Sequence, residues 1–185
     1  MNRLVHGLAA IVLCVALPAW SATREEKRAD VRETAQRTLD RLYKLQPKAK
    51  AAIDKSAGHA IFSNFGMKLL VTGGGTGQGV AVDRKSGRET FMKMVEVQAG
   101  LGFGVKKFQL VWIFETQQAF DTFVRSGWEI GAQTTATAKL DDRGAWASGA
   151  LSVSPGVWLY QLAGDGLAVE LTAKGTKYYR DDSLN

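Results

Sequence analysis

The stretch Gly73-Gly74-Gly75-Thr76-Gly77-Gln78-Gly79, followed by Val80-Ala81-Val82, decides the fold of this chain. Gly73, Gly75, Gly77 and Gly79 are spaced by two, so they share one face of an extended chain. Each interior glycine weakens a strand, and a bare strand face therefore indicates a sharp bend or the close approach of another group. A second tract repeats the pattern with Gly100, Gly102 and Gly104. Together the two tracts predict a strongly curved sheet with something pressed against its bare face.

The segments around the glycine tracts alternate apolar and polar residues with a period of two, which indicates strands. Extended segments are predicted at 60–82, 90–105, 108–114, 128–140, 145–154, 157–163 and 167–173. The almost unbroken apolar run at 108–114 predicts a central strand that is covered on both faces.

Helical patterns flank these strands. Between 23 and 46 the apolar residues Val31, Ala35, Leu39 and Leu42 recur at spacings of four, four and three, which predicts one amphipathic helix. Pro47 ends it, and a short second helix is predicted over 48–56. A third helix is predicted between a cap at Glu115-Thr116 and an end at Gly127. This order favours an α+β domain whose mostly antiparallel, glycine-rich sheet curls into a barrel or half-barrel.

The first 21 residues fit a secretory signal peptide. Arg3 precedes an apolar stretch at 4–17, Pro18 breaks that stretch, and Ala19 and Ser21 are the small residues expected before a cleavage site. We expect cleavage after Ser21, with cleavage one residue later as the alternative.

Cleavage at this point removes the one cysteine of the chain, Cys14. A rival hypothesis makes Cys14 the acylated residue of a lipoprotein, but Leu13 stands where a small residue is expected. We therefore expect a mature protein without disulfides or a thiol nucleophile. Its predicted location is the periplasm or the periphery of the outer membrane, with the extracellular space as an alternative.

The positive charge of the chain is concentrated near its N-terminus. Residues 23–56 carry ten lysines and arginines against six aspartates and glutamates, whereas residues 57–185 carry thirteen against twelve. This asymmetry predicts an anionic partner for the N-terminal segment, and after export a lipid surface is favoured over nucleic acid. The alternative interpretation is a solvated helix face with ion pairs at helical spacing.

Sequence motifs for catalysis are missing. Neither glycine tract is followed by the Lys-Ser or Lys-Thr of a phosphate loop. His59 is the one histidine after the signal peptide, so there is no Cys-His pair and no cluster of metal ligands. We expect no enzymatic activity, no metal and no cofactor. A hydrolase site that joins His59 to a serine and a carboxylate is the remaining enzyme hypothesis.

The acidic pairs Asp141-Asp142 and Asp181-Asp182 lack the further spaced oxygen ligands of a calcium loop. The first pair predicts a turn and the second a solvated tail.

Aromatic and basic residues favour binding to a membrane surface. Trp112, Trp128, Trp146 and Trp158 have rings that suit the membrane interface, although a tryptophan in a strand usually lies in the core. Near an anionic surface each well-placed Lys or Arg contributes about 1 kcal/mol. Basic candidates occur near the helix break, at the turn before the segment 108–114 and near the C-terminus: Lys44, Lys48, Lys50, Lys106, Lys107, Lys174, Lys177 and Arg180.

The stretch from residue 57 to 185 resembles the SYLF domain family. The matching motifs are AGHAIFSNFG, GGGTGQGVAV, VEVQAGLGFGVK, GWEIGAQTTATAK and YQLAGDGLAVELTAKGTKYY, in the order of the family. The resemblance implies a phospholipid or phosphoinositide binder, with actin contact in fungal relatives. It also implies that lipid contact involves an amphipathic N-terminal segment and basic residues. For an exported protein, anionic glycerophospholipids of the envelope are the expected ligands.

On this chain the implied lipid contact maps onto two groups of basic residues, first Arg37, Arg41, Lys44, Lys48 and Lys50, and second Lys106 and Lys107. The expected domains are the signal peptide at 1–21, a basic amphipathic helical segment at 22–56 and a SYLF-like domain at 57–185, with 22–185 as one folding unit. We predict a non-enzymatic peripheral phospholipid-binding protein. The alternative is a scaffold protein that binds a protein partner or its own copy through the helix at 23–46.

Overall fold

The computed structural model describes residues 22–69, 72–99, 104–130, 139–140, 149–164, 166–168 and 175–185. Within these ranges three helices are formed, α1 (Arg24–Leu45), α2 (Lys48–Lys55) and α3 (Gln117–Ser126). The strands are β1 (Gly58–Leu69), β2 (Thr72–Asp83), β3 (Glu89–Ala99), β4 (Gly104–Phe114), β5 (Trp128–Ile130), β6 (Lys139–Leu140), β7 (Leu151–Ser154), β8 (Val157–Ala163), β9 (Gly166–Ala168) and β10 (Thr176–Arg180). The predicted signal peptide lies outside the described residues.

The predicted N-terminal helices are confirmed. A capping box starts α1, since the Thr23 hydroxyl accepts from the Glu26 amide and the Glu26 carboxylate accepts from the Thr23 amide. α1 ends at Leu45 with Gln46 as its C-cap, and Pro47 is the N-cap of α2. No helix in the described ranges is long and apolar enough to cross a membrane.

The predicted α+β fold is also confirmed. The strand order is β5-β10-β3-β2-β1-β4-β8-β7-β6, with β9 paired to β8, and the pairs are antiparallel. β5 and β6 stand at opposite ends of this order, yet only residues 131–138 separate them in the chain. That connection spans at most about 30 Å, whereas the ends of a flat sheet of nine adjacent strands lie about 38 Å apart. The sheet therefore curls, and it forms a half-barrel.

Each face of the sheet is covered by helix. We call the side that carries Phe62, Trp112 and Tyr178 the α3 face, because these residues share a core cluster with α3. The other side is the α1 face, where Val111 and Ile113 share a cluster with α1 and α2. β4 contributes alternate residues to both clusters, which confirms the prediction of a central, doubly covered strand.

The glycines of β2 allow side chains to approach its backbone closely. A Cβ atom on Gly77 would lie 2.6 Å from both Met94 Cγ and the Ser63 carbonyl oxygen, and one on Gly79 would collide with the Ile61 carbonyl and the Phe62 ring. The bare face of β2 is thus occupied by core side chains.

The same glycine face allows a hydrogen bond across β2. The Asn64 side chain on β1 donates to the Glu96 carboxylate on β3 at 2.7 Å, and both residues are buried. β2 lies between these two strands, and the pairing register places Gly77 beside Asn64 and Gly75 beside Glu96. The bond therefore crosses the face of β2 on which Gly75 and Gly77 carry no side chain.

Several sequence predictions need correction or remain open. β10 was not predicted, and Asp181, expected in a solvated tail, is only 1% exposed and paired with Lys93. The predicted strand at 128–140 begins in β5 and ends in β6, and these pair with different strands, β10 and β7. Gly104 begins β4 rather than extending β3, and Gly100 and Gly102 lie outside the described residues.

We predict that Gly77→Ala destabilises the protein by about 2 to 3 kcal/mol, because its Cβ atom has no room beside Ser63 and Met94. Gly74→Ala in the same strand is the matched control, since its Cβ atom would meet only the Glu96 carbonyl oxygen at 3.5 Å. Urea unfolding of both variants measures the difference. Equal stability of the two variants would contradict the close packing of Ser63 and Met94 against Gly77.

Candidate functional site

A groove with a volume of about 1130 Å³ runs along α1 on the α1 face of the sheet. Its floor is a row of residues that are direct neighbours across six strands, in the order β8, β4, β1, β2, β3 and β10. We call this the polar row: Leu162, Gln109, Ser63, Gln78, Lys93 and Tyr179.

The polar row contrasts with the row next to it, which lies under α1. The neighbouring positions on the same strands are Tyr160, Val111, Ile61, Val80 and Phe91, all buried in the core shared with α1. α1 covers the apolar row through Val31 and Ala35, which also form a wall of the groove. Apart from Leu162, which is buried in the same core, the polar row stays partly open beside the helix.

One end of the groove carries positive charge. The Arg41 guanidinium donates to the Gln109 side chain at 3.1 Å and to the Gly164 carbonyl oxygen. Both acceptors are neutral, so these bonds fix the guanidinium without cancelling its charge. Lys107 is exposed and lines the same end.

The other end of the groove contains a charge pair. Lys93 contacts the Asp181 carboxylate at 2.9 Å. Burial by itself raises the pKa of Asp181, but hydrogen bonds from Ser183 and Lys93 outweigh it, and the pKa lies below its ordinary value. The same hydrogen bond raises the pKa of Lys93. This end is therefore close to neutral, with Tyr179 and Val95 exposed beside it.

The predicted lipid-binding residues differ in their surroundings. Arg37 is paired with Glu33, and Lys50 with Asp54 at 2.8 Å. Arg41 and Lys107 both line the groove. The side chain of Lys106 is not among those that the structure describes.

Lys44 and Lys48, at the junction of α1 and α2, are exposed and have no ion pair among the described residues. Leu45 lies between them in the sequence and is 39% exposed. We call Lys44, Leu45 and Lys48 the basic corner.

Sequence reasoning missed a second group of cations. A cleft of about 580 Å³ is lined by five arginines: Arg28, Arg32, Arg88, Arg125 and Arg180. Arg28 and Arg32 lie over the Phe91 ring at 5.5 and 5.2 Å. Carboxylates compensate most of this charge, as in the 2.8 Å pair of Arg32 with Glu89. These arginines come from four separate segments, so no sequence spacing signals the cleft.

His59 is buried on β1, and no hydrogen bond joins it to a serine or a carboxylate in the described part of the chain. Burial lowers its pKa to about 4, with a further contribution from the positive charge of Arg84. Over the residues described, no group of three or more His, Cys, Asp or Glu side chains could hold a metal ion.

Comparison with known proteins gives one informative similarity. No protein-family model matches the chain. The chain is similar to Beta cell expansion factor A of Aeromonas veronii, with 34% identity over 162 residues. The match covers 88% of this chain and 60% of the relative, so the chain spans about three fifths of the relative's length.

We predict that His59 makes the protein less stable in mild acid. The unfolded chain binds a proton near pH 6.5 and the folded protein only near pH 4, so stability falls as pH falls through this window, by about 3 kcal/mol in total. Urea unfolding at pH 7 and pH 4 should show a smaller loss for His59→Gln than for the unchanged protein. The carboxylates titrate in both proteins, so their contribution to the loss of stability cancels when the two proteins are compared. An identical loss in the two proteins would contradict the buried, neutral histidine.

Proposed function

We propose that the protein is a non-enzymatic, peripheral phospholipid-binding protein of the bacterial envelope. It docks on anionic lipid through the basic corner at the junction of α1 and α2. The observation that carries this proposal is the exposure of Lys44 and Lys48, without carboxylate partners in the described structure, on either side of the exposed Leu45.

The chemistry of the basic corner suits a lipid surface. Two unpaired lysines contribute about 2 kcal/mol of attraction to anionic headgroups. An exposed leucine between them adds apolar surface that favours the interface over water. Arg41 precedes Lys44 by about one helical turn, so the positive end of the groove enlarges the same basic surface.

Ion pairing favours this corner over the middle of α1. Arg37 is held by Glu33, Arg32 by Glu25 and Glu89, and Arg28 by Glu25. An anionic surface would have to displace those carboxylates from the arginines. Lys44 and Lys48 have no carboxylate to displace in the described structure.

Binding of a protein partner through the apolar stripe of α1 has less support. Val31, Ala35 and Leu42 are at most 7% exposed, because they pack on the sheet. A partner would have to displace α1 from its own core. The amphipathic pattern of this helix is accounted for by folding.

The resemblance to the SYLF family supports lipid binding, and the predicted signal peptide supports a location in the periplasm, at the outer-membrane periphery or outside the cell. The relative from Aeromonas veronii is named as a factor for the expansion of beta cells.

We predict that residues 22–185 co-sediment with vesicles that contain phosphatidylglycerol and not with vesicles of phosphatidylcholine alone. Added salt should weaken this binding, because exposed charges are screened. Replacing Lys44 and Lys48 together by glutamate should lower the partition coefficient at least about thirtyfold, because about 2 kcal/mol of attraction is removed and repulsion is added.

The matched control replaces Lys27 and Lys85 together by glutamate. Both are exposed, and the change in net charge is the same. Equal loss in the two double variants would show that binding depends on total charge and not on the basic corner. Absence of binding to either type of vesicle would refute the lipid-binding proposal.

A further inference from the structure

The groove beside α1 is long. The members of the polar row that are not fully buried cross five neighbouring strands, from Gln109 on β4 to Tyr179 on β10. Four strand spacings amount to about 19 Å. A ligand that uses the whole row is therefore an extended chain of several units, longer than one phospholipid headgroup.

The floor of the groove offers unused hydrogen-bonding groups. Ser63, Gln78 and Thr76 line it, and their side chains have no hydrogen-bond partner among the described residues. An acyl chain laid over these side chains would remove them from water and would not replace the hydrogen bonds that water makes to them. The loss would cost about 1 to 3 kcal/mol of binding free energy for each group. A ligand with hydroxyl groups along its length would satisfy them, since amides and hydroxyls both donate and accept.

The charges in the groove indicate where an acidic group would bind. Arg41 and Lys107 lie at the β4–β8 end, and the Arg41 guanidinium is already fixed by Gln109 and Gly164. At the opposite end Lys93 is neutralised by Asp181. Asp30, on the α1 wall, is the one acidic residue that lines the groove among those described. An acidic group is therefore best placed beside Arg41.

The position of the groove in the sheet argues against a peptide. Extended peptides commonly add a strand to an exposed sheet edge, where backbone groups are free. The floor here is formed by β4, β1, β2 and β3, and each of these strands is paired on both sides. Recognition must use side chains. The exposed ring of Tyr179 gives the neutral end a surface on which a sugar ring can pack.

From these observations we infer that the groove is a binding site for an extended acidic oligosaccharide. The acidic sugar contacts Arg41, and the hydroxyl groups of the following sugars bond to Gln109, Ser63 and Gln78. This site goes beyond the proposed lipid docking and does not use Lys44, Leu45 or Lys48.

The test is isothermal titration calorimetry of residues 22–185 without vesicles. The probes are tetragalacturonate and sialyllacto-N-tetraose, which are acidic, with lacto-N-tetraose as the neutral counterpart of the second. Tetraglutamate serves as an acidic peptide of similar charge. We expect at least one acidic oligosaccharide to bind with a Kd of about 1 mM or tighter, and at least about tenfold more tightly than lacto-N-tetraose and tetraglutamate.

Two variants test the placement of the ligand. Gln78→Leu removes a hydrogen-bonding group from the middle of the row and should weaken binding about tenfold. Gln118→Leu is the matched control, because Gln118 is exposed on α3, on the other face of the sheet. The double change of Lys44 and Lys48 to glutamate should reduce vesicle binding more than oligosaccharide binding, which separates this site from lipid docking.

Three results would overturn the inference: no heat of binding with either acidic oligosaccharide, binding of tetraglutamate at least as tight, or equal affinity of Gln78→Leu and Gln118→Leu. None of the three bears on the lipid proposal, which is measured separately with vesicles.

Discussion

The close approach of core side chains to the glycine face of β2 is the constraint on which the rest of the structure depends. Met94 and Phe62 occupy the space that side chains at Gly77 and Gly79 would fill, and Asn64 reaches over β2 to the buried Glu96 carboxylate. A buried carboxylate without hydrogen bonds would be costly, so this contact matters for stability as well as for shape. This contact draws β1 and β3 towards each other over the glycine face of β2, which favours a curled sheet.

The curl determines what α1 can cover. A helix of 22 residues is a rod about 33 Å long, and a rod laid across a curled sheet contacts a narrow band of it. That band is the buried apolar row of Ile61, Val80 and Val111. The next row on the same strands carries Ser63, Gln78 and Gln109 and stays beside the helix, not under it. The groove is therefore a consequence of the two-residue alternation along strands whose register is fixed by the glycine face.

The sequence predicted the parts that depend on local pattern. The spacing of Val31, Ala35 and Leu42 predicted α1, and the spacing of the glycines predicted close approach to a bare face. The polar row could not be predicted, because its six members come from six different strands and meet only through the pairing register. The pairing of cations is a similar case. Arg37 and Lys44 both have a carboxylate four residues earlier, yet Arg37 pairs with Glu33, whereas Asp40 accepts from Gln36 and Lys44 has no ion pair among the described residues. Asp181 looked like part of a polar tail, and its burial depends on Lys93 from a distant strand.

The basic corner and the positive end of the groove are neighbours on α1, since Arg41 and Lys44 are separated by about one helical turn. An anionic surface at Lys44 and Lys48 would lower the electrostatic potential at Arg41, where the acidic end of a groove ligand is proposed to bind. The same charge would then weaken the binding of that ligand, and the bound ligand would weaken docking by an equal free energy, because coupling between two binding sites is reciprocal. The interaction falls off over a Debye length, about 8 Å at physiological ionic strength. Two anionic ligands on one basic region of a small domain are thus expected to compete, although Lys44, Leu45 and Lys48 do not line the groove.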